Sequence, residues 1–345
     1  MSPASRTPPG LGPHVVGQRV VIRRLVRGET GPTGGPAFAD VLGVMEAWSG
    51  SQTSVRKESG ELVRIDVADI VSGKPVPPRP SARLRVSAET AERRALASWP
   101  ARDTEPLGEW LLRYASGYSG RANSVLAVGD PEVPFDDAVA RVKTFYADRE
   151  LPAWTQVIVG SDVHGAFESA RWVPARPGEA DTLFQIASVS AALRVVRRSL
   201  PTVVPEVDVA SHVDPAWLAD DTHALAHPEA AVALLEGSAE VGFVSVTAPG
   251  SAEVVAKGRV ARGSGAVPGD EDWAGITNVW VSPGQRRSGL GTVVMQALLS
   301  WAAERGATTA YLQVRGDNPP ALAAYEGLGF VTHHAYRYLT APAGG

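Results

Sequence analysis

The sequence predicts an α+β protein, a small N-terminal β-barrel followed by two mixed-sheet modules, the first degenerate and the second complete. Three observations lead there. The chain has 345 residues, too many for one ordinary core, which implies two or three units of roughly 100–150 residues each. Residues before about 71 are rich in Val, Ile and Arg broken by Gly and Pro, a short-strand pattern. Beyond residue 80, helix-period and strand-period segments alternate, and the same order of elements comes twice.

Composition narrows the function. An apolar fraction of 44% against 20% charged excludes wholesale disorder, and 33 Lys and Arg against 37 Asp and Glu leave a net charge of −4. Such a chain lacks the overall positive field of a non-specific nucleic-acid binder, so the expected partner is a small molecule or another protein. The absence of cysteine removes disulfides, Cys-ligated metals and thiol nucleophiles, and it agrees with a reducing cytoplasm. No apolar run approaches the ~20 residues that cross a bilayer, so no membrane partner is expected. Met1–Gly10 lacks the apolar segment of a secretory signal and reads as a floppy tail.

The first unit, residues 13–80, is expected to carry strands over 18–26, 41–48, 54–57 and 61–67, with a hairpin turn at Glu58-Ser59-Gly60. About sixty residues of this kind suit a Src-homology-like or Tudor-like barrel. The stretch Lys74-Pro75-Val76-Pro77-Pro78-Arg79-Pro80 reads as a stiff linker. Arg19, Arg23, Arg24 and Arg27 make its first strand basic, either as an anion-binding face or as solvated edge charge that discourages sheet pairing.

Residues 81–200 are expected to run helix 88–97 behind a Ser87 cap, strands 109–114 and 122–128, helix 135–145, strand 154–159, helix 165–172 and strand 182–189. Residues 201–340 repeat that grammar. Strand 206–210, helices 214–226 and 228–235 and strands 241–246, 253–260 and 276–281 come first; helix 290–304, strand 310–314 and a short helix ending near Gly329 follow.

The chemistry concentrates in Ile276–Thr292. A buried strand ends at Pro283, a glycine turn follows, and Leu290 opens a helix. Gly289 and Gly291 remove the β-carbons that would keep a ligand away, so the N–H groups of Arg287 to Thr292 can converge on an anion such as a pyrophosphate. Neither the three-glycine dinucleotide fingerprint nor the G-K-[ST] loop is present. Two glycines also fit an ordinary connection. The next stretch adds Asn318, Ala321, Tyr325, Gly329 and Phe330.

Together, V-x-P-x-x-R-x-x-G-x-G (Val281 to Gly291) and N-x-x-A-x-x-x-Y-x-x-x-G-F (Asn318 to Phe330) resemble the GNAT superfamily of N-acetyltransferases over roughly residues 203–340. The layout of a barrel, a degenerate GNAT-like half and a complete half also resembles a bacterial subfamily labelled histone-acetyltransferase-like. The resemblance implies that acetyl-CoA, the co-substrate, lies where strand 276–281 splays from strand 310–314. Val279, Trp280 and Val281 would pair with the pantetheine, and Arg286, Arg287, Ser288, Gly289, Leu290, Gly291 and Thr292 would hold the pyrophosphate. Asn318 would bond the cofactor, and it can also cap the helix that begins at Pro319.

Tyr325 matches the family position near the thioester sulfur. A phenol of pKa near 10 is protonated at neutral pH and can reprotonate the departing thiolate; equally, its ring can simply pack on the core. A lysine-like amine has a pKa of ~10.4, so supplying its neutral form at pH 7 costs on the order of 4–5 kcal/mol and a base is useful. Strand 276–281 holds no acid. Asp272, beside Asp270 and Glu271, is the candidate base, with a water relay, a backbone carbonyl or a purely solvated loop as alternatives.

The expected function is acetyl transfer to a primary amine, of a small molecule or a protein, by direct attack. A catalytically silent acyl-CoA sensor whose barrel binds a partner or nucleic acid is the alternative. The middle half places Asp130 and Glu132 where phosphates would sit and should not bind CoA; Tyr114, Tyr118, Arg121 and Asn123 are its candidate acceptor-pocket residues. No metal site is expected, since His223 and His227 lack the Glu of H-E-x-x-H. His333 and His334, on a strand, are expected on opposite faces.

Overall fold

The computed structural model describes residues 10–31, 34–57, 59–76 and 82–342, in two compact units, Met1–Ser81 and Ala82–Gly345. The floppy tail expected for residues 1–9, Glu58 of the hairpin turn and residues 77–81 of the linker lie outside the described residues.

The first unit contains β1 (Arg19–Thr30), β2 (Pro36–Trp48), β3 (Gln52–Arg56), β4 (Leu62–Asp66) and β5 (Ile70–Pro75). They pair antiparallel in the order β4-β3-β2-β1-β5. Strand alternation turns Val20, Ile22, Met45, Val55 and Ile65 into one buried cluster. Lys74 and Pro75, expected in the linker, instead pair with Val21 and Val20. Proline is tolerated there because β5 is an edge strand. Of the arginines on β1, Arg23 pairs with Asp40 at 3.1 Å and Arg27 with Asp69 at 2.8 Å.

The second unit begins with α1 (Ala88–Ala95), whose Ser87 cap accepts from the Thr90 N–H, a contact typically worth ~1 kcal/mol. Then come β6 (Asp103–Leu107), β7 (Trp110–Tyr114), β8 (Val125–Leu126), α2 (Phe135–Ala147), β9 (Trp154–Ile158), α3 (Asp162–Ser169), β10 (Val173–Pro174), β11 (Thr182–Ser188) and α4 (Val189–Arg198). The strand expected over 122–128 shrinks to two residues behind a 3-10 turn at Arg121–Asn123. Helix α4 is an addition to the expected set: Val189, Ala192, Leu193 and Val196 give a helical stripe that packs into the core.

The chain continues with β12 (Asp208–Ala210), α5 (Pro215–Leu218), α6 (Thr222–Ala226), α7 (Pro228–Glu236), β13 (Glu240–Thr247), β14 (Val254–Arg262) and β15 (Trp273–Val281). It ends with α8 (Leu290–Glu304), β16 (Thr309–Arg315), α9 (Pro319–Gly327) and β17 (Val331–Thr340). No helix of the described residues is long and apolar enough to cross a membrane.

One sheet runs through this unit in the order β12-β13-β14-β15-β16-β11-β17-β9-β8-β7-β6, with β10 beside β17. Two pairs are parallel, β8 with β9 and β15 with β16. Each is joined by a crossover helix, α2 and α8 respectively, as parallel pairing requires. The element order is thus duplicated. The last strands are exchanged: β11 pairs with β16, and β17 pairs with β9, while β11 and β17 pair with each other. Helices α4 and α8 cover one face over a large apolar cluster; Ala91 and Ala95 of α1 pack with Phe184, Trp273 and Tyr311 in a separate cluster.

The histidine pair departs from expectation. Register slips between Phe184↔His334 and Gln185↔Thr332, leaving His333 as an extra residue on β17. That bulge cancels the alternation. The two Nδ1 atoms lie 2.8 Å apart, His333 Nε2 meets the Val86 carbonyl at 2.8 Å, and His334 Nε2 meets Glu92 at 3.0 Å.

Candidate acetyl-CoA site and its surroundings

The pairing of β15 with β16 runs from Trp273↔Thr309 to Ile276↔Leu312 and stops, although β15 continues to Val281 and β16 to Arg315. From Thr277 onward, the edge of β15 toward β16 has no ladder partner. A bulge sits at this point. On the other side of β15, Arg259↔Thr277 is followed by Lys257↔Trp280, three steps on β15 against two on β14. Asn278 takes up the extra residue at φ 52°, a left-handed conformation that Asn tolerates better than most residues. Asn278 is a site feature that sequence reasoning missed; an Asn beside Thr277 in a mostly apolar strand was its only signal. Val279 and Val281 pack against the cluster under α8, while Trp280 stands opposite Lys257, whose Nζ lies 5.8 Å from the indole.

The loop after β15 is built to leave its backbone open. Among the described residues, the N–H groups of Arg286, Arg287, Ser288, Gly289, Leu290 and Gly291 donate to no protein acceptor, whereas those of Thr292 and Val293 turn back to the Gly289 carbonyl. Arg287 at φ 64° and Gly289 at φ 90° are both left-handed. For arginine that conformation costs of order 1–3 kcal/mol. Ser288 Oγ donates to the Gln285 carbonyl at 2.5 Å, and Arg286 Nε donates to the Val281 carbonyl at 3.4 Å. A β-carbon on Gly291 would meet only Val281 Cγ2, at 3.8 Å. The positive end of α8 adds its dipole, so open donors and field both favour an anion.

Asn318 caps α9, its Oδ1 accepting from the Ala321 N–H at 3.3 Å. Tyr325 lies on that helix, half-buried, packed against the α8-side cluster and 6.0 Å from the Phe330 ring. Its hydroxyl has no protein partner among the described residues, and burial pushes its pKa up to about 12. The loop, the open edge of β15, Asn318 and Tyr325 therefore all follow the C-terminal ends of one splayed parallel pair, β15 and β16.

Asp272 is not brought to them. It precedes β15 at the paired end, where its carbonyl accepts from Thr308 and Thr309, and it lies four residues, roughly 13 Å along a strand, from Ile276. Its side chain is exposed. In the turn between α5 and α6, Asp220 is paired with Lys257, and Asp221 caps α6 and accepts from the Tyr118 hydroxyl at 3.2 Å. Among the middle-half candidates, Asn123 is buried and braces its own hairpin through Ala115, Gly117 and Ser119.

Comparison with known proteins places the chain in a family. Residues 87–339 match the family described as "Probable histone acetyltransferase Rv0428c C-terminal", and residues 14–74 match "Rv0428c N-terminal Sm-like domain". The chain is 29% identical to the "Probable histone acetyltransferase Rv0428c" of Mycobacterium tuberculosis over 98% of its own length and 97% of that protein's. It is 26% identical to the "Uncharacterized N-acetyltransferase YobR" of Bacillus subtilis, covering 71% of this chain and 96% of that one. A 59-residue stretch is 41% identical to the ribosomal protein bS18-alanine N-acetyltransferase of Escherichia coli, over 17% of this chain and 40% of that one. The chain therefore belongs to the Rv0428c family of GNAT-type acyltransferases, with an Sm-like domain at its N-terminal end.

Proposed function

We propose that the protein transfers an acetyl group from acetyl-CoA to a primary amine by direct attack, with Tyr325 as the proton donor. The observation that carries this reading is the run of six open N–H groups, Arg286 to Gly291, next to the unpaired edge of β15. The loop offers donors to a pyrophosphate, and the β15 edge at Val279–Val281 offers amide partners to an extended chain laid beside it. Acetyl-CoA supplies an acyl group already activated as a thioester.

In this reading Asn318 keeps α9 in place through its cap and presents Tyr325. The Tyr325 hydroxyl, raised to about 12 by burial, remains protonated throughout the physiological range and gives its proton to the leaving sulfur. Asp272 has no part, because it stands at the wrong end of β15; with Asp220 and Asp221 already engaged, the amine loses its proton to water. We also propose a cytoplasmic location, and three units at 13–80, 81–200 and 201–340, the second a degenerate copy of the third.

The test is Tyr325→Phe. The expected result is turnover lowered by about 10²-fold with acetyl-CoA affinity unchanged, as for a lost general acid. Equal turnover in the two proteins returns Tyr325 to a packing role.

A further inference from the structure

We propose that the acceptor is an amino carboxylate, a small amine whose carboxylate is received by Arg121 of the middle half; this rests on the acetyl-transfer reading above. Arg121 donates no hydrogen bond to any described residue, and its buried Nε is without a partner. Its guanidinium lies 5.3 Å from the Trp99 ring. The Arg259 guanidinium lies 5.3 Å from the same ring and reaches Thr277 Oγ1 at 3.5 Å. Thr277 is the first residue of β15 beyond the last position paired with β16. Trp99 thus connects Arg121 to the root of the splay.

The β16 side of that root has a second open donor. Gln313 Oε1 accepts from the Tyr336 hydroxyl at 3.3 Å, while its buried Nε2 has no acceptor. Two open donors ask for an oxygen ligand.

Charge points the same way. Arg113 donates to Ser124 and Gln156, and Arg259 donates to the carbonyls of Leu235 and Ser98 and to hydroxyls, so neither is matched by a carboxylate. The carboxylate facing Arg113 and Arg121 is Glu92, and it is bound by His334 and Gln156. Arg113 and Arg121 thus share one carboxylate whose oxygens His334 and Gln156 already take, and Arg121 is left with no carboxylate hydrogen-bonded to it among the described residues. A protein lysine brings only its amine; an amino carboxylate brings a carboxylate as well, whose two oxygens suit the guanidinium fork.

The experiment measures CoA release from acetyl-CoA with a panel of α- and ω-amino acids, their carboxamides and an end-blocked lysine peptide. At least one free amino acid should be used, with kcat/KM about 10²-fold above that of its carboxamide, the range of a lost charged hydrogen bond. Arg121→Gln should raise KM for that amino acid by a similar factor and leave acetyl-CoA affinity by calorimetry unchanged; Arg121→Lys, which keeps the charge, should recover part of the loss. A purely structural arginine would instead lower donor affinity and turnover with every acceptor together.

Equal use of carboxamide or peptide, an unchanged KM in Arg121→Gln, or acetyl-CoA binding with no free amino acid used would each overturn the proposal. If Arg121→Gln does not fold, the amino acid against carboxamide comparison on the unaltered protein still decides. Failure to bind acetyl-CoA at all removes the acetyl-transfer reading itself.

Discussion

After β15, six consecutive N–H groups, Arg286 to Gly291, have no protein acceptor among the described residues. After β8, at the corresponding place in the middle half, the loop is closed by its own acids. Glu109 Oε2 accepts from the Asp130 N–H at 2.8 Å, and Asp130 Oδ1 accepts from the Glu132 N–H at 2.8 Å. A β-carbon on Gly129 would lie 2.3 Å from that Glu109 oxygen, so a carboxylate fills the space beside this loop. Asp136 and Asp137 in the first turn of α2 add further negative charge.

The helices that follow differ in the same sense. Phe330 and Trp172 both donate back across a helix end, to the carbonyls of Tyr325 and Phe167 respectively, and both come after a left-handed residue, Gly329 or Arg171. Tyr325 thus corresponds to Phe167, which is fully buried among aromatic rings and has no hydroxyl to give. The two halves share an order of strands and crossover helix, and they differ in the loop after the first parallel strand, which carboxylates fill in one half and which leaves its N–H groups unpaired in the other.

The largest effect should come from separating the halves. Because β11 lies between β16 and β17, residues 201–345 alone lose the strand between them and should fail to give a cooperative, monomeric thermal transition. A monomer that unfolds cooperatively and binds acetyl-CoA would show the exchange to be incidental. Next is Gly291→Glu, which places a carboxylate in the open loop as Glu109 does in the closed one. There is room for its β-carbon, so the protein should fold, and calorimetry should register acetyl-CoA binding weakened by about 10³-fold or more. Unchanged affinity would detach the loop from the donor.

A pH profile gives a smaller effect. With the Tyr325 pKa raised to about 12, the acid form persists as pH rises, so kcat should show no alkaline fall below about pH 11, and a fall near pH 9 would assign the acid elsewhere. Smallest is Glu109→Gln. Its side chain is half-exposed, so the cost should be no more than about 1 kcal/mol, read as a lower Tm, with acetyl-CoA affinity untouched. A change in that affinity would mean that the two loops are coupled.

The glycine loop after β15, α8 at Leu290–Glu304 and the Asn318 cap were legible because glycine spacing and helical periodicity act locally. The exchange of β11 and β17 was not, since nothing within a strand states which neighbour it will find. The bulges at Asn278 and His333 were hidden for a related reason: each is a register slip against a partner strand, visible only once Arg259 and Lys257, or Phe184 and Gln185, are in place. That Asp272 lies at the end of β15 that pairs with β16 was hidden as well, because sequence distance ignores which end of a strand pair opens.

The stoichiometry of acetyl-CoA binding tests the contrast between the halves most directly. Titration calorimetry on the full chain should give one acetyl-CoA per chain, taken up by the half with the open loop. Two per chain would mean that the acids of the middle half do not close it, and none would mean that the open backbone of Arg286 to Gly291 serves another ligand.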